Sequence, residues 1–172
     1  MNHSAQQLLL LVSRERLSAD QRARATELAG GVDDWEAFLR IASQALGLCL
    51  VHSSLSSLPT GTVPPDVLAA MRKGSRVQVA HSLLIEATYR HFMSECLAPS
   101  GAAHVFFKGP ALSARYYDTP AHRPCRDVDV LVDEAGVLDV VLRTRKQGYQ
   151  LHGVDGVESE RDVAAWVKYG SV

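Results

Sequence analysis

The sequence has few cysteines, little charge imbalance and no long apolar run, and each shortage excludes a class of protein. Only Cys49, Cys96 and Cys125 occur, far apart and without a C-x-x-C pair. That count and spacing argue against both a disulfide framework and a zinc site, and fit a reducing cytoplasm best. The 18 basic and 19 acidic residues leave a formal net charge of -1, so no global field draws the chain to nucleic acid or to a membrane. The apolar run Leu8 to Val12 is short, lacks a basic leader and passes into "SRER", which reads as an amphipathic helix and not a secretory signal. No stretch approaches the ~20 apolar residues that a spanning helix needs. Internal repeats and low-complexity segments are also missing.

What remains is an ordinary globular composition. The chain is 172 residues long, 47% hydrophobic and 22% charged, with mean hydropathy close to zero. It is long enough for one domain with a full core, or for two small ones.

The first half reads as helices. "SAQQLLLLVSRE" is followed by "SADQRARATELA", in which Ser18 and Gln21 form a capping box and Gly30-Gly31 ends the run. Asp33 and Glu36 repeat the start signal, and Trp35, Phe38, Leu39, Ala42 and Leu46 then fall on one helical stripe that Gly47 interrupts. "HSSLSSLPTGTVPP" is a connecting loop, with Pro65 at the first turn of the next helix. In the segment from Arg76 to Leu97, Ile85, Tyr89, Phe92 and Cys96 share a stripe, with Ala80, Leu83, Leu84 and Ala87 beside it. So broad an apolar arc predicts a largely buried helix.

At "LAPSGA" the texture changes. "HVFF" is a strand-type run, a brief helix begins at Pro110, and "DTPAHRP" is a loop. "RDVDVLV" alternates strictly as a strand, "DEAGVLDVVLRTRKQ" is an amphipathic helix closed by Gly148, and "YQLHGV" can start a further strand. The expected class is α+β: a helical region over 1–98 followed by a core with a small mixed sheet over 99–172.

The chemistry concentrates in "FFKGPALSARYYDTPAHRPCRDVDVLV", Phe106 to Val132. Two carboxylates one residue apart among valines are costly unless a cation meets them. On a strand, Asp127 and Asp129 project from one face with bases about 6 to 7 Å apart, so their carboxylates converge on one ion. A few carboxylates with water and phosphate oxygens are the usual setting for Mg²⁺, or Mn²⁺ in its place. Upstream, Gly109 lets the backbone approach a ligand, the following helix presents its positive end, and Lys108 adds a point charge. Arg123 or Arg126 can grip phosphate through a planar fork. The plainer alternative pairs the aspartates with Arg123 and Arg126 in salt bridges, Arg123 serving as a brace. Tyr116 and Tyr117 stack on a base or, as is commoner beside a sheet, pack as core. His122 and Cys125 lack the partners of a metal site.

The stretch resembles the nucleotidyltransferase superfamily of the polymerase-β-like fold. More narrowly it resembles a bacterial uncharacterised nucleotidyltransferase family, with a K-G-x-A-L turn, a tyrosine-rich short helix and R-x-x-x-D-x-D-x-L-V. Lys108, Gly109, Ala111, Leu112, Arg123, Asp127, Asp129, Leu131 and Val132 match that pattern. The resemblance implies transfer of a nucleoside monophosphate from a nucleoside triphosphate, ATP among the candidates, to a hydroxyl on a small molecule, protein or RNA. Asp127 and Asp129 would be the catalytic metal ligands, and Lys108, Gly109 and Arg123 the phosphate contacts.

Two departures accompany it. Pro110 stands where the superfamily often has serine, so a hydroxyl and a backbone donor are lost. The third carboxylate of such sites is expected beyond Val172, which makes the chain resemble the front part of a longer protein. Asp155, Glu158, Glu160 and Asp162 lie in "DGVESERD", which reads as a solvated loop or helix start. The alternative function is therefore a catalytically silent nucleotide-binding or protein-interaction module, with the helical region meeting a partner. A strand donated within an oligomer would instead restore activity.

Overall fold

A computed structural model describes residues 1–150, 152 and 159–169, with the side chains of Ala45, Leu46, Trp166 and Tyr169 left aside. The chain is α+β, and its described residues are mostly helical with one small two-stranded antiparallel sheet. It divides into two compact units interleaved in sequence, one formed by 1–84 with 110–126 and the other by 85–109 with 127–172.

The first unit is built from amphipathic helices. In α1 (His3–Val12) Ala5, Leu8, Leu9 and Val12 are buried, the three- and four-residue spacing that makes one helical face. Asn2 accepts from the Ala5 N–H at 3.0 Å and donates to the Gly31 carbonyl at 2.7 Å, tying the start of α1 to the end of α2 (Ala19–Gly30). Both halves of the Ser18–Gln21 capping box form. For α3 (Trp35–Ile41) the cap is Asp34, whose carboxylate accepts from the Ala37 N–H at 2.8 Å, and not Asp33. Two adjacent aspartates give the same composition signal; only the one three residues before Ala37 fits the geometry.

A π-helical turn, Ala42–Leu46, continues α3 to Gly47, whose φ of 85° ends it and admits α4 (Leu48–Ser56). Phe38, Leu8, Leu55, Met71, Val12 and Val51 form the fully buried centre of this unit. Each such side chain contributes about 1.5–3 kcal/mol through the apolar area it withdraws from water.

The long α5 (Pro65–Phe92) begins at the anticipated proline. The buried arc expected along it is only partly present. Ile85, Tyr89 and Phe92 are half-buried, but Ala80, Leu83, Leu84 and Ala87 are exposed, Leu83 by 59% and Leu84 by 63%. The reason is geometric: α5 buries Val67, Met71, Ser75 and Ser82, a single narrow line at helical spacing. Apolar composition widened the arc in the sequence; packing did not.

In the second unit a π-helical turn, Met93–Leu97, and the one-turn α6 (Ala98–Ser100) lead to Gly101 in the left-handed region. Strand β1 (His104–Phe106) pairs antiparallel with β2 (Val130–Val132) in the register His104 with Val132, Val105 with Leu131 and Phe106 with Val130. Phe106 meets Tyr89 edge to face with ring centroids 4.9 Å apart. Helix α8 (Glu134–Lys146) is followed by Gly148 at φ 86°. Gly136 brings α8 so close to Ala102 that a Cβ there would lie 2.3 Å from the alanine methyl.

Of the further strand anticipated in "YQLHGV", Tyr149, Gln150 and His152 are not in a strand, and the rest lies outside the described residues. Asp155 and Glu158 lie outside them too. Glu160 and Asp162 begin α9 (Glu160–Tyr169), where Asp162 accepts from the Ser159 N–H at 2.8 Å as part of the helix start. No helix among the described residues is long and apolar enough to cross a membrane.

Two titrations test this packing. Burial, with Arg72 contributing, pushes the His52 imidazole below its ordinary pKa. The unfolded chain then binds the proton more readily, so stability is complete above the unfolded value of about 6.5 and falls as pH drops below it. His52→Gln is expected to flatten that loss in thermal melts between pH 7.5 and 5.5. Burial likewise raises the thiol pKa of Cys49 and Cys96. Iodoacetamide is expected to label half-buried Cys125 first, and Cys49 and Cys96 only on unfolding, as read by mass spectrometry.

Candidate active site

The quoted stretch folds as strand, turn, helix, loop and strand. β1 ends at Phe106, and α7 runs Gly109–Tyr116. A 3₁₀ turn, Pro120–His122, follows, then β2. The strand carrying D-x-D is shorter than its alternation predicts. It spans only Val130–Val132, and Asp127 and Asp129 lie in the extended segment just before it. The hydrogen-bonded ladder stops because β1 gives way to the Lys108-Gly109 turn and offers no further partner strand.

The two segments nevertheless stay close beyond the ladder. Gly109 has φ 60°, and a Cβ on it would sit 2.9 Å from the Asp127 carbonyl oxygen. Only glycine satisfies both conditions without strain. Lys108 Nζ is 3.7 Å from Asp129 Oδ2, with the lysine side chain 60% exposed and the aspartate 27%. The ammonium also lies 5.0 Å from the centre of the Phe107 ring. Asp127 is exposed. Of the five residues singled out in the sequence, Lys108, Gly109, Asp127 and Asp129 lie in the second unit, where the Lys108 ammonium faces Asp129 and Gly109 lies against the Asp127 backbone.

Such an ion pair, so open to water, contributes at most about 1 kcal/mol to stability. The carboxylates of Asp127 and Asp129 offer only hard oxygen donors, the kind that suits Mg²⁺ or Mn²⁺ when substrate phosphates complete the shell. Among the described residues no third histidine, cysteine or acid joins them in a ligand cluster.

Arg123 belongs to the first unit, on the wall of a cleft of about 980 Å³ that also involves Arg126, His122, His81 and Tyr117. The loop carrying it is fixed by Glu15, which accepts from the Asp118 N–H at 2.9 Å and from His122 Nδ1 at 2.8 Å. Arg16 pairs with Asp118 at 3.0 Å. His122 is therefore partnered by a carboxylate from the end of the first helix, a contact no local spacing announces. Tyr116 is 63% exposed and is not core, whereas Tyr117 is half-buried. Sequence reasoning missed His81 and Gln78 as cleft residues, because they come from the middle of α5, some forty residues before the loop they face.

Residues 32–166, well over half of the chain, match the family model described as "Uncharacterised nucleotidyltransferase". No curated protein and no solved structure matches.

Proposed function

We propose that this chain, which belongs to the uncharacterised nucleotidyltransferase family, transfers a nucleoside monophosphate from a nucleoside triphosphate to an acceptor hydroxyl with the help of Mg²⁺ or Mn²⁺. The observation that carries the reading is the approach of Lys108 and Gly109 to the D-x-D segment. A lysine lies 3.7 Å from Asp129, and a left-handed glycine is pressed against the Asp127 backbone. Cation, close backbone and paired acids are what a metal-bound triphosphate requires.

Asp127 and Asp129 would hold the metal, which when bound neutralises charge on the triphosphate and orients it. Lys108 leaves Asp129 partly compensated before substrate arrives and can turn to a phosphate oxygen afterwards. Gly109 lets the triphosphate lie against the main chain. In the reaction the acceptor oxygen bonds to the α-phosphorus while the bond from that phosphorus to the bridging oxygen breaks. Pyrophosphate departs with the electron pair, and the hydroxyl proton passes to a base.

The second reading is a nucleotide-binding module that does not turn over. It is favoured by the lack of a third acid beside Asp127 and Asp129 among the described residues, since general-base assistance is worth about 10²–10⁴-fold. Label from the α-phosphate of each triphosphate, followed into small-molecule, RNA and protein fractions of an extract, separates the two. Transfer lost in Asp127→Ala/Asp129→Ala supports the enzyme. Binding without transfer supports the silent module, and neither activity rejects both.

A further inference from the structure

The first unit holds its own cleft, of about 980 Å³, at the upper end of the range for small-molecule sites. Its charge is one-sided. Arg123, Arg126, His81 and His122 all contribute to the lining, and among the described residues no aspartate or glutamate does. Two guanidiniums are charged at any working pH. In a chain whose net charge is only -1, a cavity wall with two arginines is a local concentration of positive potential, offset in part by Glu15 behind His122.

The rest of the wall is apolar or neutral. Leu48, Leu50, Val77 and Pro124 supply hydrocarbon. Gln78 is spoken for, because its Oε1 accepts from the Cys49 N–H at 3.0 Å. His122 is held through Nδ1 by Glu15, which leaves Nε2 to meet a ligand, as an acceptor in the neutral ring and as a donor to a phosphate oxygen in the imidazolium. Gly47 and Gly74 keep the wall thin. A Cβ on Gly47 would come within 3.0 Å of Pro124, and one on Gly74 within 2.3 Å of Leu48. The cleft is therefore shaped by close backbone approach as well as by charge.

We propose that this cleft binds a phosphate monoester, its phosphate on Arg123, Arg126, His81 and His122 and its organic body against Leu48, Leu50 and Val77. Planar guanidiniums match phosphate oxygens two at a time, and a pair of them sets both position and orientation. The monoester has two sources: a nucleoside monophosphate, or another phosphorylated small molecule. The inference stands whether or not the D-x-D pair turns over a nucleotide.

The test is calorimetric titration of the full chain with phenyl phosphate, which carries the phosphate on an apolar ring. Saturable binding is expected, weakened at least tenfold in Arg126→Ala and in His81→Ala and unchanged in Asp127→Ala/Asp129→Ala. Arg126 and His81 are exposed, so both variants are expected to keep the wild-type melting temperature. Competition by AMP would identify the monoester as a nucleotide, and simultaneous binding of AMP and phenyl phosphate would assign the cleft to another phosphorylated ligand. Lack of saturable binding, or binding indifferent to both cleft substitutions, would overturn the proposal. Because the aspartate variants do not enter the cleft, failure here is distinct from failure of the transferase reading.

Discussion

Asp127→Ala/Asp129→Ala is expected to remove Mg²⁺-dependent nucleotide binding while leaving the melting temperature nearly unchanged. The stability half follows from exposure. Asp127 is exposed, and Asp129 faces a lysine that is itself 60% exposed. Surface pairs of this kind are worth at most about 1 kcal/mol, and removing the acids strands only a solvated ammonium. The binding half follows from charge. With both carboxylates gone, no acid of the D-x-D segment is left to share a cation with the triphosphate. The loss should exceed the ~10–100-fold that follows when a group merely supporting a metal ligand is removed. Lys108→Ala is the informative contrast: it keeps the carboxylates, so Mg²⁺ dependence should persist at reduced affinity. Filter binding with labelled ATP reads both variants. An aspartate variant that bound as tightly as wild type would show that neither carboxylate holds the metal.

Gly109→Val is expected to act on structure and binding together. At φ 60° a β-branched residue is an outlier, and the strain costs on the order of 1–3 kcal/mol. The new Cβ would also lie 2.9 Å from the Asp127 carbonyl oxygen, which belongs to backbone and cannot rotate away. Either the turn opens or the D-x-D segment shifts, and each displaces Lys108 from Asp129. A drop of several degrees in melting temperature and a loss of nucleotide binding of at least tenfold are the expected results. Gly61 is the control: its φ is 87°, but nothing lies within 4 Å of a Cβ there. Gly61→Val should therefore lower stability through backbone strain without touching the ligand. If the two variants behaved alike, close approach at Gly109 would have no special role.

Local signals in the sequence translated well into structure. The Ser18–Gln21 box, Pro65 and the glycines at 47 and 148 each act through a neighbour within a few residues, so spacing alone places them. The D-x-D strand was overextended because alternation is a statement about one strand, and a ladder needs two. β1 ends at Phe106, so Asp127 and Asp129 precede β2 despite their ideal pattern. Periodicity was equally blind at Leu83 and Leu84, which are apolar and exposed. At the candidate site, the Lys108–Asp129 approach was legible because strand, turn and returning strand form one continuous motif. The Glu15–His122 contact and the basic cleft were not, since they join residues separated by tens of positions that share no composition signal. Nor does sequence reveal that 110–126 packs with the N-terminal helices while 127–150 belongs to the other unit.

The central claim is that Lys108, Gly109, Asp127 and Asp129 form a metal-dependent nucleotide site. Its most direct measurement is calorimetric titration of ATP, GTP, CTP and UTP into the chain, with Mg²⁺ and with chelator. Binding of at least one triphosphate that requires Mg²⁺ and disappears in Asp127→Ala/Asp129→Ala is the predicted result. No binding of any triphosphate, or binding that neither Mg²⁺ nor the aspartates affect, would contradict it.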